Sequence, residues 1–122
     1  MFASKILWEK GKGNLSTQRI GARCNAKGDT SFVTGLDNSG NSTGTTVTGV
    51  ENEVTGAYST ATGYKNTVNG MSNFATGNAN KLNGSHSIAA GQSNTINGNY
   101  NFAEGQNNKI YSNLSATFGG YN

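Results

Sequence analysis

The chain has 122 residues, of which 33% are hydrophobic and 12% are charged, and it contains 18 glycines and no proline. So little apolar material excludes an ordinary layered globule of this length. Disorder is also unlikely to explain the composition, because disordered chains are usually rich in proline and net charge, whereas the net charge here is only +3. Asn, Gly, Thr and Ser suit a structure held by backbone and side-chain ladders.

The first 16 residues form a separate segment that is both apolar and basic. It holds four large apolar residues: Phe2, Ile6, Leu7 and Trp8. We expect these residues to cap the open end of the domain that follows, because stacked strands leave unpaired backbone groups at their ends. In the alternative, Lys5, Lys10 and Lys12 anchor the chain to an acidic partner.

This N-terminal segment does not have the pattern of a signal peptide. Its apolar stretch is short and is broken by Lys5 and Glu9, and no long apolar region follows. No run of the sequence approaches the roughly 20 apolar residues of a membrane span. We therefore predict neither a secretion signal nor a membrane span in this chain.

Residues 17–122 repeat a 14-residue unit, which we call a coil. Glycine recurs at intervals of 14: Gly21, Gly35, Gly49, Gly63, Gly77, Gly91, Gly105 and Gly119. Asparagine follows three residues later in all but the first coil: Asn38, Asn52, Asn66, Asn80, Asn94, Asn108 and Asn122. Cys24 takes that position in the first coil. Five columns in register over this length indicate a repeat architecture.

A coil of 14 residues is too short for a pair of helices but fits two short strands and two corners. One coil cannot bury its own face, so the coils must stack, and identical residues then form ladders. We predict an all-β parallel β-roll, or solenoid, of about seven coils. Glycine supplies positive-φ corners, and Asn-Gly at residues 69–70, 83–84 and 97–98 marks the second corner. Because Asn-Gly is also a hairpin signal, an antiparallel meander is the alternative.

One face of the predicted roll has large apolar residues pointing outward. Two residues before each first glycine lies a small apolar residue, as in Val33, Ala61 and Ala89, which suits a narrow interior. Neighbouring residues on a strand face opposite ways, so a second set points out: Phe32, Phe74, Ile88 and Phe102. A regular apolar column of this kind predicts burial against other copies, in a cyclic homo-oligomer.

These columns resemble the head repeats of trimeric autotransporter adhesins. Residues 87–98 read SIAAGQSNTING, residues 63–70 read GYKNTVNG, and the chain ends in FGGYN. The resemblance covers residues 17–122 and implies a left-handed parallel β-roll that assembles as a homotrimer. Phage fibre proteins contain similar repeats. In place of the family's usual Ile or Val, this chain has Thr34, Thr48, Thr62 and Thr76, and no stalk or membrane barrel follows, which suggests a longer parent protein.

Residues that carry catalysis or bind metal are sparse in this sequence. There is one His and one Cys, so no zinc set can form within a chain, and His86 is expected at an exposed corner. We predict no catalytic residue, no cofactor and no metal site, and therefore no enzyme activity. The repeat lacks the basic stripe of a nucleic-acid groove, so no nucleic-acid partner is expected.

The sequence therefore favours a trimeric fibre or adhesin-head module that attaches to a host surface receptor, a glycan or a protein. Its expected location is a virion or an extracellular surface, and the absence of a signal peptide favours the virion. The N-terminus would then join a capsid, tail or stalk component. A structural spacer with no receptor is the second hypothesis. Ice binding, suggested by Thr-x-Thr at residues 46–48 and 60–62, is the third.

Overall fold

The computed structural model describes residues 8–10 and 18–122, with side chains from residue 20 onward. Among the residues predicted to cap or anchor the roll, Phe2, Ile6 and Leu7 lie outside the described residues. Trp8 begins a short strand, β1, that spans Trp8–Lys10. The cap and the anchor both remain predictions.

Each coil contributes one long strand and one short strand. The long strands are β2 (Gln18–Ala22), β4 (Phe32–Leu36), β6 (Thr46–Val50), β8 (Thr60–Tyr64), β10 (Phe74–Asn78), β12 (Ile88–Gln92), β14 (Phe102–Gln106) and β16 (Ala116–Gly120). The short strands are β3 (Asn25–Ala26), β5 (Ser39–Gly40), β7 (Glu53–Val54), β9 (Thr67–Val68), β11 (Lys81–Leu82), β13 (Thr95–Ile96) and β15 (Lys109–Ile110).

The strands form two sheets in which neighbouring coils pair in parallel. The long strands form one sheet, in which β1 is the first of nine strands, and the short strands form a second sheet of seven. Each residue pairs with the residue 14 positions along the chain, as Ala75 pairs with Ala89. The parallel solenoid is thereby confirmed and the antiparallel meander is wrong. Only β1 is antiparallel among the described strands, with Trp8 opposite Ile20 of β2.

The core is a narrow apolar column between the two sheets. Side chains from the two sheets compensate each other in size, because a core has little empty space. The inner position of the long strand is Val33 or Val47 in early coils and Ala75 or Ala89 in later ones, all fully buried. The facing position in the short strand changes the opposite way: Gly40, Val54, Val68, Leu82, Ile96 and Ile110. A Cβ added at Gly40 would lie 2.8 Å from Val33 Cγ2.

The first corner of each coil requires glycine for two reasons. The glycine that recurs every 14 residues has φ between 96° and 118°. A Cβ at Gly77 would also lie 2.1 Å from the carbonyl oxygen of Gly91 in the next coil. Two residues after this glycine, the chain adopts a left-handed conformation at an ordinary residue in every coil: Arg23, Asp37, Glu51, Lys65, Ala79, Ser93, Asn107 and Tyr121.

At the second corner the glycine has a different role from the one predicted. Gly56, Gly70, Gly84 and Gly98 do not have a positive φ. They are needed because a Cβ at Gly56 would lie 1.7 Å from the carbonyl oxygen of Gly70, and the others are as close to the next coil. The left-handed residue lies two positions later: Tyr58, Ser72, His86, Tyr100 and Leu114.

Candidate interaction surfaces

The asparagine column forms a continuous hydrogen-bonded ladder inside the roll. Asn80 is buried, and its Nδ2 donates to the carbonyl oxygens of Thr76 and Gly91, each at 2.9 Å, and to Asn66 Oδ1 at 3.1 Å. Its Oδ1 accepts from the backbone N–H and the Nδ2 of Asn94, at 3.0 and 3.1 Å. The same pattern runs through the other coils: Asn38, Asn52, Asn66, Asn94, Asn108 and Asn122.

Cys24 occupies the ladder position in the first coil. Its side chain is buried, and Sγ donates to the carbonyl oxygen of Gly35 at 3.2 Å. It thus makes a weaker version of the contact that Asn80 makes to Gly91. Cys24 therefore fills the site of the ladder where the ladder begins.

A second internal ladder was not predicted from the sequence. Four residues before each first glycine lies a buried Ser, Thr or Asn: Ser31, Thr45, Ser59, Asn73, Ser87 and Asn101. Asn73 Nδ2 donates to the carbonyl oxygen of Gly84 at 2.6 Å, and its Oδ1 accepts from the backbone N–H of Ser87 at 2.8 Å. The signal was a position that always holds a small polar residue, and it closes the second corner as the asparagine ladder closes the first.

The outward face of the long-strand sheet displays the predicted apolar column. Phe74 and Ile88 are 39% and 40% exposed, whereas Ala75 and Ala89 beside them are fully buried. The large residues therefore point outward and the alanines inward. Phe32 and Phe102 are half-buried. Phe102 packs against Phe118 of the next coil with 5.4 Å between ring centroids.

A column of threonines runs along the middle of this face. Thr34, Thr48, Thr62 and Thr76 are half-buried, and Ala90 and Glu104 continue the column. Thr48 Oγ1 donates to Thr62 Oγ1 at 2.9 Å. The middle of the face is therefore small and weakly polar, between columns that hold the large residues.

The short-strand sheet presents a polar surface on the opposite side of the roll. Exposed asparagines after these strands form a third ladder, in which Asn69 Nδ2 donates to Asn83 Oδ1 at 2.8 Å and Asn83 Nδ2 donates to Asn97 Oδ1 at 2.6 Å. The outward residues of the short strands are polar or charged: Asn25, Ser39, Glu53, Thr67, Lys81, Thr95 and Lys109. This side of the roll is therefore compatible with full exposure to water.

No family model, curated protein or solved structure matches this chain. Its function must therefore be inferred from the surfaces of the roll.

Rings are stacked along the second corner. His86 and Tyr100 lie in adjacent coils, with 4.9 Å between ring centroids and 13° between ring planes. Beside them runs an open groove of about 440 Å³, lined among others by Ile88, Phe102 and Leu114. The groove thus joins the exposed corner to the edge of the apolar face.

Charged side chains follow one another along the first corner. Arg23 Nε and Nη2 donate to the two carboxylate oxygens of Asp37 at 2.5 and 2.7 Å. Lys65 Nζ lies 3.6 Å from Glu51 Oε2 and 5.0 Å from the centroid of the Tyr64 ring. These contacts are exposed, so they orient the corner and add little to stability.

The Arg23–Asp37 pair makes a prediction about pH. The hydrogen bonds from Arg23 lower the pKa of the Asp37 carboxyl below its ordinary value of 3.8. The stability that the pair contributes is therefore present above the ordinary value and is lost as the pH falls through the lowered one. We expect Asp37→Asn to lower the melting temperature slightly at about pH 6 and to have no effect at about pH 2. Thermal melts of both proteins across this range check it, and a difference that does not change with pH would contradict it.

Two absences concern the described residues only. No group of three or more His, Cys, Asp or Glu side chains among them is placed to hold a metal ion. Within the same part of the chain, no helix is long and apolar enough to cross a membrane.

Proposed function

We propose that this chain is a non-enzymatic module of a trimeric fibre or adhesin head that attaches to a host surface. The observation that carries the proposal is the outward apolar column of the long-strand sheet. Its members repeat at one-coil spacing, and Phe74 and Ile88 are more than a third exposed in a single chain. Large apolar residues in a regular row are stable in water only when another surface covers them.

A second copy of the chain is the simplest cover for this face. Every copy carries the same row at the same spacing, so two parallel rolls bring their coils to equal heights. The short-strand sheet, in contrast, has an outward surface of polar and charged residues such as Lys81 and Thr95. An oligomer that buries the long-strand sheet and exposes the short-strand sheet therefore satisfies both surfaces.

The width of the face favours three copies. A five-residue strand is about 16.5 Å long, and packed sheets lie about 10 Å apart, so each sheet needs about 5 Å of depth for its side chains. Three such strands arranged as a triangle place each backbone about 4.8 Å from the common axis. Four strands arranged as a square would leave about 8 Å and an unfilled channel. The small threonine column then lies nearest the axis, where three copies converge.

Attachment follows from the shape of such a trimer and from the resemblance of its repeats. Stacked coils are spaced about 4.8 Å apart, so the seven intervals between the eight long strands from β2 to β16 span about 34 Å. Three identical outer surfaces give multivalent binding, which converts weak contacts into a stable attachment. Similar repeats are found in adhesin heads and phage fibres, so we place the module on a virion or an extracellular surface. Its receptor would be a glycan or a protein.

A structural spacer without a receptor is the second candidate. The observation that favours it is the uniform outer surface of the short-strand sheet, where Asn69, Asn83 and Asn97 repeat one ladder. A surface that is the same in every coil offers no distinct recognition site. In this case the trimer holds other components apart and binds nothing laterally.

Binding of the trimer and of a monomeric variant distinguishes the two candidates. We expect fluorescent wild-type protein to bind a glycan array or a panel of cell surfaces saturably, with competition by unlabelled protein. Ile88→Asp places a charge in the apolar row and should yield monomers whose binding is at least about 100-fold weaker, because avidity is lost. Thr95→Asp, on the exposed short strand, is the matched control and should bind as wild type does. The absence of binding to any surface would favour the spacer.

A further inference from the structure

The large apolar residues of the long-strand face change sides half-way along the roll. In the early coils they lie at the C-terminal end of each long strand, where Leu36 is 36% exposed, Tyr64 is 41% exposed and Val50 is half-buried. From β10 onward they lie at the N-terminal end, at Phe74, Ile88 and Phe102. The apolar track therefore crosses the face diagonally.

The opposite end of each of these strands is polar. In β6 and β8, Thr46 and Thr60 lie at the end opposite Val50 and Tyr64. In the later strands the C-terminal ends are polar instead: Asn78, Gln92 and Gln106. Each strand from β6 to β14 thus has one large apolar end and one polar end, and the order reverses between β8 and β10.

The two ends of one strand cannot meet within a chain. They are four residues apart on an extended strand, which separates their Cα atoms by about 13 Å. In a parallel trimer, however, the three long strands at one height run around the axis in the same sense. The C-terminal end of each strand then meets the N-terminal end of the same strand in the next protomer.

We propose that each contact between neighbouring protomers is a seam in which the two ends of the same long strand meet across the boundary. In the early coils Tyr64 packs on the partner's Thr60, and in the later coils Ile88 packs on the partner's Gln92. This inference rests on the proposed trimer. Every height from β6 to β14 then supplies one large apolar side chain and one polar side chain to the seam.

The pairings are physically compatible at each height. The methylene groups of Gln92 and Gln106 cover apolar surface while their amides remain in water, and the methyl groups of Thr46 and Thr60 do the same for Val50 and Tyr64. Like charges do not meet either. The corner after each C-terminal end carries Glu51 or Lys65, whereas the corner before each N-terminal end carries uncharged residues such as Tyr58 and Tyr100.

Engineered cysteines test the seam directly. We expect Ile88→Cys combined with Gln92→Cys in one chain to give, under mild oxidation, a covalent species of three chain masses on a denaturing non-reducing gel. A disulfide needs Cα atoms within about 7 Å, so the two cysteines of one chain are too far apart to pair with each other. Each single variant, which also contains Cys24, should remain at one chain mass. Thr60→Cys with Tyr64→Cys should repeat the result in the early coils.

The outcomes separate the seam from the trimer. If the double variants sediment as trimers but give no covalent trimer, with or without a short bismaleimide, the seam is wrong and the trimer stands. If the covalent product ends at two chains, or the uncrosslinked protein is a monomer, the seam and the trimer are both overturned. Covalent trimers from a single variant would also overturn the seam.

Discussion

Gly77→Ala is expected to destabilise the roll by about 4 kcal/mol or more, the range reached only when a substitution creates a severe clash or strain. The added Cβ would lie 2.1 Å from the carbonyl oxygen of Gly91, at a φ of 110° that alanine rarely adopts. That carbonyl oxygen accepts a hydrogen bond from Asn80 Nδ2 at 2.9 Å. Moving it to relieve the clash therefore disturbs the asparagine ladder as well. Thermal or denaturant unfolding followed by circular dichroism measures the effect.

The reverse substitution two residues later is the matched control. Ala79 has a φ of 57°, so Ala79→Gly relieves left-handed strain while it increases the freedom of the unfolded chain. These effects oppose each other, and we expect a net change within about 1 kcal/mol. Equal losses for Gly77→Ala and Ala79→Gly would contradict the contact between coils as the reason for the glycine column.

Asn80→Leu is expected to reduce the free energy of unfolding by about 1–3 kcal/mol per chain, because buried partners lose their hydrogen bonds. The carbonyl oxygens of Thr76 and Gly91 lose a donor, and the backbone N–H of Asn94 loses an acceptor. Leucine offers branched apolar volume in return but has no polar atom. The loss therefore affects the coils on both sides of residue 80. Thermal or chemical unfolding measures it.

Asn83→Leu provides the control for the ladder, since it makes the same chemical change at an exposed asparagine. Asn83 exchanges side-chain hydrogen bonds with Asn69 and Asn97 only at the surface, where water replaces them. We expect its effect to stay within about 0.5 kcal/mol. If Asn80→Leu is as mild as Asn83→Leu, the buried ladder does not stabilise the roll.

The repeat could be predicted from the sequence because stacking turns constancy along the chain into contact in space. Glycine at Gly63 and Gly77 and asparagine at Asn66 and Asn80 recur without exception in the later coils. Such columns imply one residue above another, which fixes the parallel direction, the two strands per coil and the inner side of each strand. The interior alanines and the outward Phe74 then follow from alternation along a strand.

The corners could not be predicted because their conformation does not depend on one residue type. The left-handed position of the first corner holds Arg23, Asp37, Ala79 and Tyr121 among others, so no column appears in the sequence. At the second corner, Asn-Gly suggested a positive φ at glycine, but the glycine is required by the nearness of the next coil. The inner ladder through Ser59 and Asn73 was missed because three residue types share its position.

The apolar track was only half visible in the sequence for the same reason. The column of Phe32, Phe74, Ile88 and Phe102 is regular enough to notice. The C-terminal column changes from Leu36 to polar residues such as Gln92, and appears unrelated to the first until the register places both on one face. Complementarity between two variable columns requires the fold before it can be recognised.

Sedimentation equilibrium of the unmodified protein tests the trimer most directly, since both the proposed attachment and the seam depend on it. We predict one species at micromolar concentration with three times the 12.7 kDa mass of the chain. Its mass should be unaffected by Thr95→Asp and should fall to that of one chain in Ile88→Asp. A mass of one or two chains for the unmodified protein would contradict the account.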